Sequence, residues 1–244
     1  AYIHCDADFG VKAAAGSDRV DGMILRLAVS LLLTVPLGGA EAKPERYAEA
    51  IHTFLEQDKV NPPPAGGILF IGSSIFRQWK SLGQQMAPLP VFNRAFGGSQ
   101  TNDILHYMDK VVLPYAPKII VYYCGSNDVN AGIGADVIAK RYEEFVKRVH
   151  AQLPGTRIFY VSINRAPQKR DRWDVVDAAN RLVADYTKSD ARLGYIDVNP
   201  VLFDAAGQPR VELYQKDMLH FLEPAYTEFT AVIRPVIQSA WKTR

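Results

Sequence analysis

Apolar and polar positions alternate in two rhythms along this chain. Short continuous apolar runs, each broken off by glycine or small polar residues, alternate with longer stretches of helical period. Ile68-Leu69-Phe70-Ile71 is the first such run, preceded by Pro62-Pro63-Pro64 and Gly66-Gly67 and stopped by Gly72-Ser73-Ser74. Unbroken apolarity over so few residues predicts a strand buried on both faces. Three runs repeat the pattern over residues 90–95, 118–124 and 157–163, and a fifth covers 193–198. Between them, Thr101 to Val112, Ala135 to Leu153 and Trp173 to Lys188 place apolar residues three and four apart, as an amphipathic helix does. Residues 44–57 predict an entering helix, and Pro224 to Trp241 a closing one with proline in its first turn and a kink near Pro235.

Strands of this length alternating with helices require parallel crossovers. The expected fold is therefore α/β, a three-layer α/β/α sandwich around a central, mainly five-stranded parallel sheet. With 244 residues, 48% of them hydrophobic, the chain has enough core for one such domain. A formal net charge of +2, without a basic stripe, argues against a nucleic-acid partner. Cys5 and Cys124 form no disulfide framework and no metal-ligand spacing.

The N-terminal region has a different organisation. Met23-Ile24-Leu25-Arg26 is a short basic start, Leu27 to Leu37 an apolar run, and Ala40-Glu41-Ala42 a small-residue site. That order predicts a signal peptide over residues 23–42, cleaved after Ala42, with 1–22 an upstream extension and 43–244 the folded domain. The run is too short for an ordinary membrane span, so a secreted or periplasmic protein is expected.

In a parallel α/β sheet, ligands bind beyond the carboxyl ends of the strands, and several strands here end in residues suited to chemistry. The first ends at Ser74, where Ser73 or Ser74 would cap a helix beginning at Ile75. The second ends at Gly97-Gly98, where a missing side chain lets a backbone N–H approach a ligand, and the third at Asn127, an uncharged amide donor. Near the C-terminus, Asp217-Met218-Leu219-His220 sets a carboxylate three residues before an imidazole. A serine hydroxyl needs an imidazole to take its proton, and the imidazole needs a carboxylate to fix its tautomer. The oxyanion that results needs preset donors, for which the Ser74 N–H, the Gly98 N–H and the Asn127 amide are candidates. Asn164 and Arg165, after the fourth strand, are candidate substrate-binding residues, and Asp128 is expected to brace its own loop.

The ordered set Gly72-Ser73-Ser74, Gly98, Gly125-Ser126-Asn127-Asp128 and Asp217-x-x-His220 resembles the SGNH hydrolases, the GDSL-type lipases and acylhydrolases. The resemblance spans residues 68 to about 235 and implies a flavodoxin-like SGNH fold and a serine esterase with no metal or cofactor. Ser74 is then the nucleophile, His220 the base and Asp217 its partner, with Ser74, Gly98 and Asn127 forming the oxyanion hole. Ser73 and Ile75 stand where the family pattern has aspartate and leucine. Short acyl or acetyl esters, some on carbohydrate, are the expected substrates, in the absence of any long apolar lid insertion. The alternatives are a lysophospholipase or thioesterase, a polysaccharide O-acyltransferase, or an inert carbohydrate-binding module.

Overall fold

All four hydrophobic runs and the fifth, more polar one become strands of a single sheet. The computed structural model describes residues 44–243; the expected signal peptide, the extension before it and Cys5 lie outside the described residues. The strands are β1 (Ile68–Gly72), β2 (Val91–Asn93), β3 (Ile119–Tyr123), β4 (Arg157–Val161) and β5 (Leu193–Ile196). They pair in parallel in the order β2-β1-β3-β4-β5. Ile68 sits in register with Val91 on one side and Ile119 on the other.

The longer helices are α1 (Pro44–Val60), α4 (Thr101–Val111), α6 (Ala135–Gln152), α7 (Trp173–Thr187) and α8 (Glu223–Lys242). Three short α-helices, α2 (Ser74–Gln78), α3 (Leu82–Met86) and α5 (Ser126–Asn130), lie among the described residues as well. Successive strand residues point to opposite faces, so each apolar run serves two cores. Leu69, Ile71, Ile120, Tyr122, Ile158 and Tyr160 pack with α1, α4, α6 and α7. Ile68, Phe70, Val121, Tyr123 and Val161 pack with α2, α3 and α8. Burying side chains of this size stabilises the fold by about 1.5–3 kcal/mol each, which is why β1 and β3 have every residue buried.

The strands are shorter than the apolar runs that predict them. At the end of β4, for example, the Ile163 N–H leaves the ladder and donates to Asn180 Oδ1 at 2.8 Å. The helix α8 runs through Pro235 to Lys242. Among the described residues, no helix is long and apolar enough to cross a membrane.

Candidate active site

β1 delivers Ser74 to the carboxyl edge of the sheet through a turn that only glycine can make. Gly72 has φ +150°, and a Cβ there would lie 1.8 Å from the Tyr123 carbonyl oxygen of β3. Any side chain at this position would push the two central strands apart. Ser73, not Ser74, occupies the cap position, and its side chain makes no capping hydrogen bond. Ser74 is the first residue of α2, with its hydroxyl free for another partner and its N–H lacking an intrahelical acceptor. Two contacts hold α2 against the body of the protein: Tyr226 OH donates to the Ile75 carbonyl at 2.9 Å and Asn93 Nδ2 to the Phe76 carbonyl at 2.7 Å.

The partner of the Ser74 hydroxyl comes from 146 residues further on: its Oγ lies 2.9 Å from His220 Nε2. The other ring nitrogen, Nδ1, lies 2.6 Å from Asp217 Oδ2. An ionised carboxylate can only accept, so Nδ1 carries the proton and Nε2 is left as the acceptor for Ser74. Asp217 is fixed in turn, since its Oδ1 accepts from the Leu219 and His220 N–H groups, each at 3.0 Å. Met218, between them, takes a left-handed φ of +54° that closes this tight turn. Burial alone would raise the Asp217 carboxyl, but the His220 ring and the two backbone donors outweigh it and hold the group at about 2. Gln215 Nε2 donates to Gln78 Oε1 at 2.9 Å, tying the histidine loop directly to α2.

Gly98 and Asn127 meet Ser74 and His220 around one cleft of about 450 Å³, completed by Arg46, Tyr47, Ala50, Arg77, Gln78 and Gly97. Gly98 adopts φ +80°, and Tyr47 OH donates to its carbonyl at 2.7 Å. The turn is thus held by its oxygen, leaving the N–H without a partner among the described residues. Asn127 Nδ2 donates to the Ser99 carbonyl at 2.9 Å, which fixes the amide and leaves its second hydrogen to give.

Asp128, expected to brace its own loop, is instead engaged by residues distant in sequence. Fully buried, it accepts from the Thr101 N–H at 3.0 Å and the Thr101 hydroxyl at 2.5 Å, and pairs with Arg141 at 3.2 Å. It therefore locks the Asn127 segment to the start of α4. Burial is the larger influence on its carboxyl, which is raised despite these partners.

Asn164 and Arg165, expected beside the substrate, are elsewhere. Asn164 is fully buried and accepts from the Tyr123 hydroxyl. Arg165 is engaged by Asp177 through Nε and Nη2 at 2.6 and 2.8 Å, and it lines a separate cavity with Trp173 and Tyr195. Both residues follow the carboxyl end of β4, which explains the expectation; their side chains are committed to other contacts. Trp79 and Tyr214 are buried packing residues.

A model of the GDSL-like Lipase/Acylhydrolase family matches residues 70–227. The chain belongs to this family. It is accordingly an ester-hydrolysing enzyme acting on small-molecule esters. Comparison with curated proteins returns no match. Among solved structures, the fold of this GDSL-like protein resembles a GDSL-like lipase from Bacteroides thetaiotaomicron at 16% identity and TM-score 0.64, covering 78% of this chain and 98% of that one. A lipase/acylhydrolase from Enterococcus faecalis aligns at 20% identity and TM-score 0.59, over 71% and 95% of the two chains. A carbohydrate esterase family 3 protein from Talaromyces cellulolyticus aligns at 19% and 0.58, over 72% and 98%.

Three residues at this GDSL-like site escape a reading from sequence. Arg46 and Arg77 line the cleft from α1 and α2, where the helical pattern marks them only as polar positions. Lys169 is buried at 1% exposure, with Nζ 2.7 Å from Ser126 Oγ, one residue from Asn127. A lysine in a charged loop carries no sequence signal that it will turn inward.

Proposed function

We propose that the chain is a serine esterase that hydrolyses short-chain carboxylic esters through Ser74, His220 and Asp217 and an acyl-enzyme intermediate. The observation that carries this reading is the continuous relay from Ser74 Oγ through the His220 ring to Asp217, at 2.9 and 2.6 Å. His220 Nε2 takes the hydroxyl proton as Oγ bonds to the ester carbonyl carbon, and the carbonyl electron pair moves onto its oxygen. The Ser74 and Gly98 N–H groups and the Asn127 amide receive that negative oxygen, a donor of this kind being worth about 2.7–4 kcal/mol in the transition state. As the tetrahedral centre collapses, the alcohol leaves with the proton held by His220. Water then repeats the sequence on the acyl-enzyme, releasing the acid and restoring Ser74.

Short acyl groups are favoured by the walls of the cleft, since among the described lining residues only Tyr47 and Ala50 present apolar side chains. A long chain would find little surface to bury. The acetyl esters of carbohydrates fit the same limits, and the likeness of fold to a carbohydrate esterase is consistent with them. The proposal includes export, which the pattern of residues 23–42 supports.

The test is a panel of p-nitrophenyl esters of graded acyl length and acetylated sugars, assayed with wild type and Ser74→Ala. Activity should fall by roughly 10³-fold or more in the variant, and a serine-directed phosphonate should label the wild type alone. Full activity in Ser74→Ala would refute the assignment.

A further inference from the structure

The cleft around Ser74 is positively charged. Arg46 and Arg77 both line it, and among the described residues no carboxylate does. Their positions are built into the Gly97-Gly98 turn. A Cβ on Gly97 would lie 2.5 Å from Arg77 Nε, and one on Gly98 would lie 2.8 Å from Arg46 Nη2. The two glycines thus leave the space that the two guanidinium groups fill, on consecutive residues of the segment carrying a candidate oxyanion donor. Some arginines of the domain are neutralised by acids, as Arg94 is by Asp58, Arg141 by Asp128, Arg165 by Asp177 and Arg210 by Glu228, whereas others, Arg157 and Arg234 among them, form no ion pair with a described residue. Among the described residues, neither Arg46 nor Arg77 has an ion-pair partner.

Two exposed cations beside one cleft favour an anion there, and guanidinium groups match the oxygens of carboxylate and phosphate. We infer that the substrate is an anionic ester, with a carboxylate or phosphate a few bonds from the scissile carbonyl that Arg46 and Arg77 bind. This rests on the esterase reading and specifies its substrate class. Arg46 and Arg77 are then specificity residues, recognising a charge that is present in the ground state. A different role, in which the two cations act on the oxyanion of every ester, makes a different forecast: neutral and anionic esters would lose equally when either arginine is removed.

The experiment compares matched substrates. For the acyl side, 4-nitrophenyl hydrogen glutarate is set against 4-nitrophenyl valerate; for the alcohol side, acetylated glycerol 3-phosphate against glycerol monoacetate. Wild type should favour the anionic member of at least one pair by about tenfold or more in kcat/KM, and the pair that responds identifies which side of the ester, and which anion, is read. Arg46→Gln and Arg77→Gln should each lower that preference by about tenfold, a loss typical of one charged hydrogen-bond partner, chiefly through KM, and Arg77→Lys should retain part of it. The ratio cancels any general loss of folded enzyme. The preference should also weaken as salt is raised. No preference in wild type, or a ratio unchanged in both glutamine variants, overturns the proposal while leaving the esterase intact. Failure to hydrolyse any of the four esters would instead remove the esterase reading itself.

Discussion

Lys169 offers a quantitative test of the structure, because its burial carries a cost that pH can switch off. Lys169 is 1% exposed and, among the described residues, its ammonium is bonded to Ser126 alone, through Oγ at 2.7 Å and the carbonyl at 3.4 Å. Burial pushes it down from an ordinary value of 10.5 to about 8. Below pH 8 both folded and unfolded chains hold the proton, and the folded state bears the whole penalty. Between pH 8 and 10.5 the unfolded chain keeps a proton that the folded one has released, so stability rises with pH. The interval between 10.5 and about 8 corresponds, at about 1.36 kcal/mol per pH unit, to about 3 kcal/mol. Lys169→Met keeps the length of the stem and removes the charge, at the cost of a Ser126 hydrogen bond worth about 1 kcal/mol. The variant should therefore exceed wild type in stability by about 2 kcal/mol at pH 7 and fall below it by about 1 kcal/mol near pH 10.5. Urea unfolding of both proteins across this range measures the difference, in which the titration of other groups cancels. A difference that stays constant from pH 7 to 10.5 would refute the burial of the charged amine. Because Ser126 adjoins Asn127, the stabilised variant should also lose kcat.

Asn127→Ala should lower kcat roughly 10²–10³-fold with KM and circular dichroism little changed, as expected for a donor used mainly in the transition state; an equal loss in KM would place the amide in ground-state binding instead. Asp217→Asn should reduce kcat by roughly 10⁴-fold, through loss of the tautomer that leaves Nε2 unprotonated. Because the Asp217 carboxyl is held at about 2, its contribution is complete above the ordinary carboxylate range and lost only as pH falls through that value, so wild-type activity should show no inflection from this group between pH 4 and 5. Cys124 is fully buried and its thiol is raised by that burial; in a Cys5→Ser background, a thiol reagent should react only on unfolding, and rapid labelling of the native protein would contradict the packing around β3.

The parts of this site that could be read from sequence are those whose chemistry is local. Ser74 and Asn127 each stand just past an abrupt apolar run, and Asp217 and His220 lie within one turn of each other. The unbroken apolarity of β1 and β3 agrees with their inner places in the sheet, but the strand order itself is not read from the sequence. The exact ends of the strands were not legible. Whether Ile163 continues β4 depends on Asn180, 17 residues away, taking its N–H. Asp128 fails in the same way: its neighbours in sequence suggest a local brace, whereas Thr101, 27 residues earlier, supplies the donors.

Long flexible side chains are the hardest to place, since a lysine or arginine can direct its charge several ångströms from its backbone at little cost. Arg165 and Lys169 are separated by three residues, yet one is paired with Asp177 in a separate cavity and the other is buried beside Ser126. Gly97-Gly98 has the same ambiguity in reverse. As a sequence it signals backbone freedom, which Gly98 uses at φ +80°. Gly97 has no such φ, and what its missing side chain leaves room for is the Arg77 guanidinium. A Gly97→Ala variant would therefore leave the turn accessible but displace Arg77, and should erode anionic preference before it erodes hydrolysis itself. That order of losses separates the two uses of glycine within one dipeptide: conformation at Gly98, and space for a charged neighbour at Gly97.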